Sequence, residues 1–229
     1  MSFRVYNVKT EQFTMEEVNF DPRLQGPFTM LVVGPSSSGK SQLVLQLIDN
    51  IDSLVTPTVK KITYCYSQWQ NVFENYQTRV TFHEGMIGKD DITGKQNHSL
   101  LIIDDLTDEE HSASIKDLFI KDSHHTNTSV IFISQNLFLP NKDYRTISIN
   151  SHYVVLFKNP REMNQIQVLG RQCFPENPTF LSKVYASETT KPHSYIVLDF
   201  KQKTPDKIRV RNSITTPMKT GVFIPHKRK

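Results

Sequence analysis

Cysteine is scarce in this chain: Cys65 and Cys173 are its two thiols. That excludes a disulfide framework and fits a reducing compartment. No apolar run approaches the ~20 residues that a membrane-spanning helix needs. The first residues, MSFRVYNVKTEQF, lack the apolar stretch of a signal peptide, so secretion is not expected. No internal repeat or low-complexity block is present. Paired ligands at Cys-x2-Cys or His-x3-His intervals are missing, so His83, His124 and His125 with the two cysteines match no zinc pattern. There is no Asn-Lys-x-Asp guanine reader. Between residue 136 and the C-terminal tail no compact arginine-rich segment occurs, as the lid of a small-molecule kinase requires.

What is present is enough for one sizeable α/β core with appendages: 229 residues, 37% of them hydrophobic. The net charge of +4 is unevenly placed. Residues 201–229 carry nine Lys or Arg and one acid, Asp206, a balance of +8. The first 200 residues carry 18 basic and 22 acidic side chains, a balance of −4. A basic tail on a mildly acidic body suggests a polyanion partner or a solvated, partly disordered terminus. The closing HKRK also fits a nuclear address.

Apolar runs alternate with helical patterns. Strands are expected at 28–33, 61–67, 80–84, 99–106, 129–136, 152–157 and 194–200. Helices are expected at 39–51, 67–76, 108–121, 160–171 (opened by Pro160 in its first turn) and 178–187. The strands are continuous apolar runs, the mark of a mostly parallel sheet with helices on both faces. Residues 1–26 read as an N-terminal extension, 27–200 as the α/β domain, and 201–229 as a basic tail.

The run GPSSSGKSQ follows the apolar stretch FTMLVV and opens an amphipathic helix pattern. Gly34, Gly39, Lys40 and Ser41 match G-x-x-x-x-G-K-[ST], the phosphate-binding loop. The two glycines permit a tight turn, and backbone N–H groups of Gly34, Pro35, Ser36, Ser37, Ser38, Gly39, Lys40, Ser41 and Gln42 (proline excepted) form the cradle. The helix N-terminus adds its positive end. Lys40 is expected to reach the β/γ oxygens of a nucleoside triphosphate and Ser41 to ligate Mg²⁺.

SLLIIDDL is an apolar strand ending in two carboxylates. Asp104 is placed to hold Mg²⁺ through water, and Asp105 to activate the attacking water as general base. It lies 64 residues after Lys40, with another strand (61–66) between, a spacing that suits NTPases whose two motifs are separated by an extra strand. The triphosphate is expected to be cradled between two adjacent strand tips. The next strand, VIFISQN, ends in Gln135, an amide able to contact the γ-phosphate or orient the water. Trp69, Phe73 and Tyr76 are expected in the core. Lys89 and Lys95, in the loop 85–98, are candidates for contacts to a nucleic-acid backbone.

Taken together, GPSSSGKS, LLIIDDL, FIKDSHHTNTSVIFISQNLF, INSHYVVLFKNPRE and LGRQCFP resemble the genome-packaging ATPases of Maverick/Polinton elements and adintoviruses. That family is similar to the poxvirus-type packaging ATPases and belongs to the HerA/FtsK superfamily. The resemblance spans about residues 27–200. It implies a RecA-like P-loop NTPase that uses ATP and Mg²⁺. It also implies a homo-oligomeric ring, a pentamer or hexamer, that threads double-stranded DNA into a preformed capsid, with the capsid or a portal vertex as its partner and no membrane. Location follows as the host nucleus or site of virion assembly. Ser41 and Asp104 then hold the metal, Asp105 is the base and Gln135 the sensor. Asp105 departs from the superfamily's usual Glu and is one methylene shorter. Such rings complete each site with an arginine from the next subunit. Arg145 is the preferred candidate, ahead of Arg161 and Arg171. Two other readings remain: a stand-alone P-loop kinase, and a nucleotide-dependent assembly factor that does not hydrolyse.

Overall fold

A computed structural model describes residues 2–7, 12–17, 21–88, 91–92, 97–107, 109–122, 126–138, 141–215 and 220–225. Its centre is a run of parallel strands rich in aliphatic and β-branched residues. These are β4 (Thr29–Val33), β6 (Lys61–Tyr66), β8 (Ser99–Asp104), β9 (Thr128–Ser134) and β10 (Tyr153–Phe157). All but the ends of β6 are buried, because helices cover both faces. The remaining strands are β1 (Ser2–Asn7), β2 (Gln12–Glu17), β3 (Leu24–Gln25), β5 (Val55–Thr56), β7 (Thr81–Glu84), β11 (Tyr195–Asp199), β12 (Val210–Arg211) and β13 (Gly221–Ile224). The main sheet runs β2-β1-β13-β12-β11-β10-β4-β9-β8-β6-β7, and β3 pairs with β5 separately. Neighbours from β10 to β7 are parallel, β10 to β13 pair antiparallel, and β1 is parallel to β13 but antiparallel to β2. The fold is the expected mostly parallel α/β sheet.

Strand alternation sorts the core into two layers. Met30, Val32, Leu100, Ile102, Ile131 and Ile133 face helices α1 (Lys40–Asp49) and α2 (Ile51–Leu54) and the 3-10 turn Asn71–Tyr76. Leu31, Val33, Leu101, Ile103, Val130 and Phe132 face α3 (Glu109–Asp117), α4 (Lys142–Ile149), α5 (Met163–Cys173) and α6 (Phe180–Glu188). Asp104 is two residues beyond Ile102, so the same alternation carries it to the α1 side.

Several expectations need correction. The strand that separates the two motifs in the sheet is β9, not the strand at 61–66, which lies beyond β8. The two motif strands are therefore not adjacent. Helix 39–51 divides into α1 and α2 at Asn50. The stretch 67–76 forms a 3-10 turn from Asn71, not a longer helix, and Trp69 is 37% exposed while Phe73 is fully buried. Helix 160–171 starts at Met163, with Pro160 in the turn before it. Helix α4 was not anticipated after Pro140: Asn141 caps it, its side chain accepting from the Asp143 N–H at 2.8 Å. Lys89, Lys95, His124, His125 and HKRK lie outside the described residues.

The basic segment also enters the sheet. Val210, Val222 and Phe223 are buried, and Arg211 donates from Nη2 to Asp199 Oδ2 at 2.7 Å. That pair is 4% and 1% exposed. Arg211 Nη1 donates to the Pro22 carbonyl at 3.0 Å, which ties the N-terminal segment to β11 and β12. Arg209 donates to Asp206 and to the carbonyls of Asp199 and Lys201. Lys201 donates to the Pro27 carbonyl at 2.7 Å. Three of the nine cations counted toward a polyanion site are thus bound within the fold. The Arg211→Met variant leaves the Asp199 charge buried and unpaired, and should lose about 3–5 kcal/mol of stability. Adding Asp199→Asn, which removes the charge and keeps an acceptor for the Lys201 N–H and the Thr204 hydroxyl, should restore part of it. Urea unfolding of both variants checks the pair.

Candidate active site

The loop Gly34–Ser38 springs from the tip of β4, where the Gly34 N–H still donates to the Ser134 carbonyl of β9 at 3.3 Å. A Cβ at Gly34 would stand 2.6 Å from Phe157 Cβ and 2.7 Å from Ser38 Oγ, so only glycine fits. Ser37 (φ 61°) and Gly39 (φ 102°) are left-handed, and backbone of alternating hand forms the concave nest of N–H groups that anions occupy. Helix α1 begins at its rim with no side-chain cap and no acid in its first turn, so its positive end is left to a ligand. Lys40 is 9% exposed and folds back over the loop, donating from Nζ to the carbonyls of Gly34 (2.7 Å) and Pro35 (2.9 Å). Burial lowers its pKa, and the charges of Asp105 and Asp104 oppose that shift. Ser36 and Gln42 are exposed.

The second motif meets the first directly. Ser41 Oγ donates to Asp104 Oδ2 at 2.9 Å, and Tyr64 OH donates to the same oxygen at 2.6 Å. Asp104 is 7% exposed. Burial raises its pKa, the hydrogen bonds from Tyr64 and Ser41 lower it, Asp105 raises it and Lys40 lowers it, with a net rise. Tyr64 is fully buried, and burial together with the Asp104 charge holds its hydroxyl well above the ordinary phenol range.

Asp105 goes elsewhere. Its backbone is left-handed (φ 57°) and its N–H donates to the Ile133 carbonyl at 3.2 Å. Oδ2 accepts from Gln135 Nε2 at 3.0 Å, while Oδ1 is buried without a partner. The expected base and sensor therefore touch each other across β8 and β9. The expected Mg²⁺ pair, Ser41 and Asp104, touch across α1 and β8.

The residues fit a magnesium nucleotide. Among the described residues three buried side-chain atoms lack a partner, and two of them, Ser38 Oγ and Asp105 Oδ1, are in this crevice. The first can donate to a phosphate oxygen and the second can accept from a water. The donors offered to a cation, a hydroxyl and a carboxylate, are hard oxygens of the kind Mg²⁺ takes alongside substrate phosphates.

The arginine candidates stand outside this cluster. Arg145 is exposed on α4, beside a groove of about 530 Å³ whose walls include Phe138, Ile149 and Phe200. Arg161 is exposed on the turn after β10, its N–H donating to Asn159 Oδ1 at 3.1 Å. Arg171 is exposed in the last turn of α5. Sequence reasoning missed two contacts. Tyr64 pairs with Ile102 in the sheet, so it shares the face of Asp104 and reaches about two residues along the strand to it. A hydroxyl-bearing aromatic in the buried run KITYCYS was the available signal. His193 Nδ1 lies 3.1 Å from the Ser38 carbonyl, and nothing local in its sequence marked it.

No family model matches the chain, and no curated protein is significantly similar to it in sequence. Among solved structures it is similar to the genome packaging NTPase B204 from Sulfolobus turreted icosahedral virus 2. With ATP-gammaS bound to that protein the match is 14% identical over 81% of this chain and 96% of that one, with a TM-score of 0.46. With AMPPCP it is 14% identical over the same shares, with a TM-score of 0.47. It is also similar to the cytoplasmic domain of the Thermomonospora curvata Type VII secretion ATPase EccC, at 11% identity and a TM-score of 0.50. That match covers 89% of this chain and 27% of that one, and shows a shared α/β fold.

Because the folded Asp104 carboxyl holds its proton more tightly than an unfolded one, it lowers stability as pH rises out of the ordinary carboxylate range and through the raised folded pKa. Asp104→Asn should therefore raise Tm at pH 7 by about 2–4 °C in metal-free protein. Near pH 4 the gain should be smaller. Thermal unfolding at both pH values checks this, and an equal gain at both would contradict it.

Proposed function

We propose that this chain is an ATP-hydrolysing motor that moves double-stranded DNA into a preformed capsid. The observation that carries its chemistry is the Ser41–Asp104 hydrogen bond, which brings the phosphate loop and the carboxylate-tipped strand to one point. In this reading Lys40 moves from its own loop carbonyls to the β/γ oxygens. Ser41 and Asp104 hold the metal, which when bound neutralises charge developing on the γ-phosphate. Asp105 takes the proton of the attacking water through the oxygen that has no partner. Gln135, bound to the other oxygen of Asp105, changes partners when the γ-phosphate leaves.

The choice of ATP, duplex DNA, capsid portal and a ring of five or six subunits rests on the resemblance of the SHHTNTSV, FKNPRE and LGRQCFP blocks to the packaging family. Part of that pattern has a packing reason. Gly170 lets α5 approach α6, since a Cβ there would stand 2.9 Å from the Pro178 carbonyl. Work inside the host cell, at the nucleus or assembly site, follows from the same reading. Among the described residues no helix is long and apolar enough to cross a membrane. A second reading, an assembly factor that binds nucleotide without turnover, is favoured by the short Asp105 and its engagement by Gln135.

Lys40→Ala should lose ATP binding. Asp105→Asn should keep binding and lose about 10²–10⁴-fold in turnover. Duplex DNA should stimulate the parent enzyme, with an affinity that falls steeply between about 50 and 200 mM salt. Binding without turnover, with or without DNA, would favour the assembly factor. A requirement for a small acceptor would indicate a kinase. In the assembled ring, Arg145→Ala should cost about 10³-fold or more in turnover. Full turnover in that variant would remove Arg145 from the site.

A further inference from the structure

His193 comes from the loop between α6 and β11, more than 150 residues from the phosphate loop, yet its ring lies on that loop. Nδ1 is 3.1 Å from the Ser38 carbonyl oxygen. A carbonyl oxygen only accepts, so Nδ1 carries the proton and donates. The ring also covers Gly39: a Cβ built there would lie 3.5 Å from His193 Cβ and from Nδ1. The loop that presents the ring is anchored. Lys158, at the tip of β10, donates from Nζ to the Thr190 carbonyl at 2.6 Å and from its N–H to the Ser194 carbonyl at 3.0 Å. Ser194 Oγ donates to the Lys191 carbonyl at 2.6 Å. His193 itself is left-handed, with φ 61°, a conformation that few side chains take without a reason in their surroundings.

The consequence follows from peptide geometry. In a trans peptide the carbonyl and the next N–H point in opposite directions. A hydrogen bond that holds the Ser38 carbonyl toward His193 therefore holds the Gly39 N–H away from it. Gly39, free to take either hand, is the residue at which this peptide could otherwise turn over and offer a carbonyl, in place of a donor, to the phosphates. We propose that His193 is a positioning residue that keeps the Ser38–Gly39 peptide in its anion-binding orientation. The inference rests on the reading of this loop as a nucleotide site.

The test uses the full chain and its His193→Ala, His193→Gly and His193→Asn variants, with Mg·ADP as the titrated ligand. His193→Ala removes the donor. His193→Gly removes it and also relieves the left-handed backbone. His193→Asn keeps a donor near the place of Nδ1 on a residue at home in that conformation. Calorimetry should find ADP bound roughly three- to tenfold more weakly by the Ala and Gly variants, the loss of one hydrogen bond. Binding by the Asn variant should stay within about twofold of the parent. In steady-state ATP hydrolysis KM should rise by a similar factor, with a smaller change in kcat. Parent-like binding by His193→Ala, or an equal loss in His193→Asn, overturns the proposal. If the unaltered chain fails to bind ADP, the nucleotide reading falls as well, so the parent titration separates the two failures. Matching thermal unfolding of all four proteins assigns the differences to the loop.

Discussion

Asp104 sits at the end of a strand whose preceding four side chains are aliphatic and buried. A carboxylate in that position is costly unless its neighbours answer it. Ser41 and Tyr64 donate to one of its oxygens, and Lys40 contributes its charge from the same loop. Burial still leaves a net penalty on that charge, of the kind that a bound divalent cation would relieve. The residues around the carboxylate are then understood by what they do for it. Tyr64 orients it, Ser41 links it to the phosphate loop, and Lys40, held on the carbonyls of that loop, offsets its charge.

The position of β9 organises the rest. Its register places Ser134 beside Val33 of β4 and Ile133 beside Asp104 of β8, so the tips of all three strands end at one level. Gly34, Gln135 and Asp105 follow those tips, and Phe157 of β10 packs against Gly34 on the other side. The loop after β9 continues this contact chain. The Phe138 N–H donates to Gln165 Oε1, and Gln165 Nε2 donates to Glu162 Oε1. Tyr185 OH donates to the Phe157 carbonyl and accepts from the Asn159 N–H. The loop that follows Gln135 is thus bonded to α5, and α6 is bonded to the strand that borders the phosphate loop.

Charge counting along the chain overstates what the basic C-terminal segment offers a polyanion. Arg211, Arg209 and Lys201 close the sheet by binding carboxylates and carbonyls, and burial lowers the pKa of Lys201. Net charge registers how many cations a segment holds. It does not register which are already neutralised by the fold.

The sequence by itself determined the class of fold and which residues line the crevice. Unbroken aliphatic strands require cover on both faces, and a glycine-framed loop before a helix has few uses other than holding phosphate. Those are local constraints, legible in consecutive residues such as GPSSSGKS and SLLIIDDL. Tertiary structure alone decided that β9 parts the two motifs, that both ends of the chain join the sheet, and that helix α4 forms after Pro140. It also chose the partners of the reactive groups: Tyr64 for Asp104, Gln135 for Asp105, His193 for the Ser38 carbonyl. The physical reason is common to all of these. Strand order and loop docking are settled by which surfaces bury one another across tens to hundreds of residues, and no pattern within a short window carries that information.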